Sequence, residues 1–99
     1  MIEKENLMII DPGRTSCKIW FVNKSKMQTI NGTPEECIDR IIKYAVKFVL
    51  DKETKIEEKV QWCKIRLDTS GSVGKFYADL FRDKDVEFEA IKIVMDVVK

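Results

Sequence analysis

The sequence predicts an α/β protein, a mixed five-stranded sheet with two helices in the element order β-β-β-α-β-α-β. Three observations carry this. Three short apolar runs follow one another before residue 31, separated only by turn residues. Strands so closely spaced form an antiparallel meander. A helix-start signature, Thr33-Pro34-Glu35-Glu36, then opens a stretch with 3.6-residue apolar spacing. Last come an apolar run, a Ser/Gly turn, a second helical pattern and an alternating run. That succession reads as strand, crossover helix and parallel strand.

The elements follow in order. LMIID (7–11) is the first strand and ends in an acid; Pro12-Gly13-Arg14 reads as a turn, since Pro presets φ and Gly tolerates positive φ. CKIWFVN (17–23) alternates, with Cys17, Ile19 and Phe21 on one face and Lys18, Trp20 and Val22 on the other. A Lys24-Ser25-Lys26 turn leads to a third strand, MQTI (27–30). Thr33 is the expected N-cap, Pro34 the first helical residue, and Glu36 the partner that completes a capping box. The helix is expected to run to about Lys52, burying Ile38, Ile41, Ile42, Ala45 and Val49 as one stripe. KETKIEEK (52–59) reads as a charged, solvated connection, and VQWCKIRLD (60–68) as a strand with Cys63, Ile65 and Leu67 on one face. The second helix is expected at about 73–82, capped by Ser70 or Ser72 and presenting Val73, Phe76, Tyr77 and Leu80. DVEFEAIKIV (85–94) begins as a strand, Val86, Phe88 and Ala90 alternating with Glu87, Glu89 and Ile91.

Bulk properties narrow the function. With 99 residues, 44% apolar and 35% charged, the chain reads as a single globular domain over 1–99. A net charge of +1 gives no bulk support for nucleic-acid or membrane binding. No apolar run approaches the roughly 18 residues of a membrane span, and MIEKENLMIID lacks the apolar region of a signal peptide. A cytoplasmic setting is therefore expected. Cys17, Cys37 and Cys63 are odd in number, form no CxxC and lie in apolar segments, so they are expected as small core residues. Histidine is absent. Catalysis, if present, falls to carboxylates, lysine or a thiol.

The sharpest constellation is Asp11 with Asp68. In the expected sheet the first and fourth strands are parallel neighbours, and each ends in one of these acids. Two carboxylates a few Å apart repel, and a bridging cation relieves the repulsion. Mg²⁺ and Mn²⁺ favour such hard oxygen ligands and serve phosphodiester cleavage. The competing reading makes both acids turn or cap residues. GSVGKF (71–76) is not a Walker A loop, because two residues instead of four separate its glycines and Phe76 stands where Ser or Thr is needed. It reads instead as a tight strand-to-helix turn whose free amides can meet a phosphate. Positive charge beside these loops comes from Arg14, Lys18 and Lys75, then Lys24 and Lys26, facing either a nucleic-acid backbone or solvent. Trp20 and Trp62 are expected as buried or half-buried core residues rather than base-stacking platforms.

The element order is that of the ribonuclease H-like fold. DPGRTS (11–16) resembles the Asp-Pro-Gly that closes the first strand of RuvC-type Holliday-junction resolvases, and equally the first phosphate loop of actin/hexokinase-type ATPases. IRLDTSGSVGKFYADLFRDKDVEFEAIKI (65–93) resembles the central segment of phage terminase large-subunit nuclease domains: a strand ending in an acid, a Ser/Gly turn, a helix and a further strand. MIIDPGRTSCKIWFV resembles their first hairpin. The resemblance implies a DNA-processing nuclease using Mg²⁺ or Mn²⁺, with Asp11 and Asp68 as the first two metal-binding acids. Those nucleases take a further acid from a later element; here Asp96 is the late acid that would substitute, and the domain would be shortened at its C-terminus. Partners implied are DNA, and a homodimer or larger phage assembly. The alternative from another class is a non-catalytic binding or assembly module of the same fold, with a nucleotide-binding fragment carried by Asp11, Gly13 and Thr15 as a third reading.

Overall fold

Alternating burial along four strands builds the core. In the computed structural model, which describes residues 6–93, β1 (Asn6–Asp11), β2 (Ser16–Phe21), β3 (Lys26–Asn31) and β6 (Cys63–Asp68) turn Met8, Ile10, Cys17, Ile19, Ile30, Cys63, Ile65 and Leu67 to one face. Helices α1 (Pro34–Ala45) and α2 (Ser72–Asp83) pack on that face and on each other. They add Cys37, Ile38, Ile41, Ala45, Tyr77, Ala78 and Phe81 to the core. The opposite face carries Lys18, Trp20, Met27 and Lys64 in the open. Among the described residues no helix is long and apolar enough to cross a membrane.

The sheet is mixed and five-stranded, in spatial order β3-β2-β1-β6-β7, where β7 is Glu89–Ile91. β1, β2 and β3 form the expected antiparallel meander. β6 lies parallel to β1 in the register Ile10 to Leu67, and parallel to β7 in the register Leu67 to Ala90. The turn between β2 and β3 is a short 3-10 segment, Val22–Lys24, closed by Ser25 in the left-handed region. The α1 start is as expected: the Thr33 hydroxyl accepts from the Glu36 amide, and Glu36 accepts from the Thr33 amide.

The middle of the chain departs from expectation. α1 ends at Ala45 instead of running to Lys52. An antiparallel hairpin follows, β4 (Val46–Asp51) and β5 (Ile56–Gln61), which forms its own two-stranded sheet. The element order is therefore β-β-β-α-β-β-β-α-β. The physical reason is a conflict of periods. Val49 continues the helical stripe, but Val46, Phe48 and Leu50 fit an alternating strand, and β-branched and aromatic residues favour it. The charged stretch 52–59 supplies the turn and most of the returning strand: Asp51 accepts from the Glu53 amide and Lys55 takes positive φ. Val49 is thus exposed, and the expected single strand 60–68 divides at Trp62.

Smaller corrections follow from side-chain geometry. Gly71 caps α2, without a side-chain bond, in place of Ser70 or Ser72. α2 turns Phe81 inward and leaves Phe76 exposed, because the buried positions are Gly74, Tyr77, Ala78 and Phe81. The last strand is confined to Glu89–Ile91, with Val86 and Phe88 instead packed on the core from the loop before it. Trp20 and Trp62 keep 40% and 39% of their surface, so neither is a core residue.

The three cysteines are buried and free, as expected of core residues. Burial pushes the Cys17 thiol up to about 12, reinforced by the neighbouring Cys37, and raises Cys63 and Tyr77. Each of these groups has a folded pKa above its unfolded one. Its neutral form is therefore the stable one in the fold, and stability is lost as pH rises beyond about 9, where the unfolded thiols ionise. The buried Cys17 is therefore held as the unreactive thiol. A thiol-reactive chromophore should thus label native protein negligibly and react with three equivalents in denaturant, matching the three cysteines of the chain. Fast labelling of the native state would contradict the burial.

Candidate functional site

β1 and β6 are parallel, so their carboxyl ends meet at one edge of the domain. Asp11 and Asp68 stand one register step beyond the Ile10–Leu67 pair, on strands that run roughly 4.8 Å apart. Ile10 and Leu67 point into the core, so alternation turns both acids to the open face of the sheet. Asp11 is exposed and Asp68 half-buried. The two acids are thus brought side by side, as the sequence pattern anticipated.

Their surroundings differ. Among the described residues the Asp11 carboxylate makes no hydrogen bond or ion pair; Lys18 stands directly opposite it on β2. Asp68 is held by the turn that follows it. Its Oδ1 accepts from the Ser70 amide at 2.9 Å and from the Ser70 hydroxyl at 2.6 Å. This is an Asx turn, so the turn reading of Asp68 holds for Oδ1. Oδ2 makes no hydrogen bond among the described residues. On the same face, one pair further down the sheet, Arg66 bonds Glu89 at 3.2 Å.

The cations divide between the two ends of the sheet. Arg14 lies in the β1–β2 turn, Lys18 early in β2, and Lys75 in the first turn of α2; all three are exposed and belong to the end that carries the acids. Lys24 and Lys26 do not join them. The β2–β3 turn sits beside the start of β1, where Leu7 donates its amide to the Asn23 side chain. Asp96 lies outside the described residues. Among those described, no group of three or more His, Cys, Asp or Glu side chains is placed to hold a metal ion.

Two further residues shape this end and escape sequence reasoning. Tyr77, fully buried, donates its hydroxyl to the Gly13 carbonyl at 2.8 Å, tying the turn after Asp11 to the helix after Asp68. Gly74 lets α2 close down on the end of β6. A Cβ there would fall inside the Asp68 carbonyl oxygen and 3.0 Å from Thr69 Cα. The second glycine of the loop is thus a close-approach position. The one sequence signal for it is a glycine inside a helical pattern, where alanine would otherwise be preferred.

As a donor set, Asp11 and the free oxygen of Asp68 suit a hard divalent cation that keeps most of its water. Searches against models of known protein families, against characterised proteins and against solved structures find no match to this chain.

Proposed function

We propose that the chain is a ribonuclease H-like domain of the terminase and resolvase nuclease kind, in which Asp11 and Asp68 bind Mg²⁺ or Mn²⁺ and act on DNA. The observation that supports this reading best is the parallel β1–β6 register, which sets two carboxylates side by side at the carboxyl ends of central strands. When bound, the ion supplies Lewis-acid stabilisation and an activated water. The protein's own residues do the positioning. Asp68 presents Oδ2 because Ser70 occupies Oδ1. The Tyr77 bond to Gly13 fixes the turn that follows Asp11. In this reading the exposed Lys18, Arg14 and Lys75 and the uncapped amides at the start of α2 would meet backbone phosphates.

A second reading, a non-catalytic module of the same fold that binds or assembles, is favoured by the two-carboxylate set among the described residues. Titration calorimetry with Mn²⁺ and incubation with linear and branched DNA separate the two. The nuclease reading expects Mn²⁺ binding that is lost in Asp11→Asn and in Asp68→Asn, and Mn²⁺-dependent cleavage abolished by either change. DNA binding without Mn²⁺ binding or cleavage selects the module, and cleavage that survives Asp68→Asn defeats the assigned mechanism.

A further inference from the structure

We infer that the β4–β5 hairpin is a self-association element: two copies of this chain join β4 to β4 about a two-fold axis at Val49, forming one four-stranded antiparallel sheet. The hairpin forms a sheet separate from the main one and, among the described residues, has no third strand. Two strands alone are marginal in water, and a third or fourth strand with a shared apolar face supplies what they lack. Phe48 and Leu50 are 63% and 62% exposed, on an edge strand that carries neither proline nor bulge. Such an edge is a template for another strand.

The register follows from hydrogen-bond parity. At the hairpin base the Trp62 amide donates to the Ala45 carbonyl at 2.8 Å. That pair continues the β4–β5 ladder, so hydrogen-bonded pairs alternate from it. Lys47, Val49 and Asp51 aim their backbone groups at β5, leaving those of Phe48 and Leu50 on the free edge. An antiparallel partner must match outward residues to outward residues. With Val49 on the axis, Phe48 bonds Leu50 of the second copy and Leu50 bonds its Phe48, which completes both sets.

Side chains agree with this register. Phe48 and Leu50 of both copies form an apolar quartet on one face, flanked by Lys59 and Glu57, their neighbours on β5. On the other face Val49 meets Val49, and Lys47 stands opposite Asp51 of the second copy on each side. The Lys47 ammonium lies 4.5 Å from the centre of the Trp62 ring within one chain, and its flexible stem lets it turn to the new carboxylate. The complementarity selects the edge. On β5 the outward residues are Glu57, Lys59 and Gln61. Matching Glu57 to Lys59 sets Glu58 on Glu58 at the axis, a like-charge contact. Matching Lys59 to Gln61, whose side chain already donates to the Cys63 and Glu87 carbonyls, sets the second copy against the hairpin base. The two domain bodies lie at opposite ends of the new sheet, because the paired strands run antiparallel.

Sedimentation equilibrium of the full chain tests this. The wild type is expected to show a concentration-dependent dimer. Val49→Lys and Val49→Asp each place like charges on the axis and should weaken dimerisation by about tenfold or more. Because Val49 is 42% exposed, both variants should melt as folded monomers. Mixing the two variants should restore a heterodimer at concentrations where each alone is monomeric. The inference is overturned by a wild type that stays monomeric to about 1 mM, by a dimer indifferent to Val49→Lys, or by folded variants that fail to recombine on mixing.

Discussion

Replacing Gly74 by alanine is expected to destabilise the protein by about 2–4 kcal/mol, the magnitude of an overpacked contact that cannot relax. Helix propensity alone predicts the reverse, since alanine is favoured over glycine by about 1 kcal/mol within a helix. The collision decides. The added Cβ meets the Asp68 carbonyl and the Thr69 backbone, neither of which is the movable end of a side chain. In a domain of this size the loss corresponds to a fall in Tm of roughly 10–25 °C. Gly71 is the internal control: a Cβ there meets nothing within 4 Å, so Gly71→Ala should cost no more than about 1 kcal/mol through the weaker cap. Thermal melts of the two variants separate the effects. Equal, small losses would show that α2 does not depend on its close approach to β6.

The Tyr77 pair carries the second large effect. Tyr77→Ala removes a fully buried aromatic and should cost about 3–5 kcal/mol. Tyr77→Phe keeps the ring and removes only the donor to the Gly13 carbonyl, so about 1 kcal/mol is expected. Denaturant titration of both variants measures the two losses. In the nuclease reading the milder variant also has a functional signature. Loosening the turn after Asp11 should weaken Mn²⁺ affinity by more than the stability loss explains, because the folded fraction stays near unity. A Phe variant with unchanged Mn²⁺ affinity would confine Tyr77 to packing.

Legibility in the sequence followed the strength of local signals. The meander was readable because Cys17, Ile19 and Phe21 alternate without ambiguity and the α1 start shows a complete capping box. The adjacency of Asp11 and Asp68 was readable because it depends only on strand order and on acids that close strands. The hairpin was not, because residues 46–51 satisfy helical and extended periods at once and the charged stretch after them resembles a loop. No local rule arbitrates there; the turn chemistry of Asp51 and Lys55 does, once the chain is folded. The Tyr77–Gly13 bond joins residues far apart in sequence and so leaves no local mark. Gly74 stands in a recognisable glycine pattern, yet its reason is the carbonyl of Asp68, which only the packed helix brings near.

The base of the hairpin has a consequence for how the chain assembles. Bringing β1 to β6 requires closure of the long segment between Ile10 and Leu67. Closure entropy grows only logarithmically, by about 0.6 kcal/mol for each doubling of length. Residues 46–61 add less than one doubling. They also cancel much of their own share, because hairpins zip within microseconds and the Trp62–Ala45 bond holds the two ends of this one together. Once zipped, the hairpin is a short circuit in the chain: α1 passes to β6 almost as though the intervening residues were absent. The slow parallel pairing that sets Asp11 beside Asp68 is thereby insulated from the length and composition of the arm inserted ahead of it.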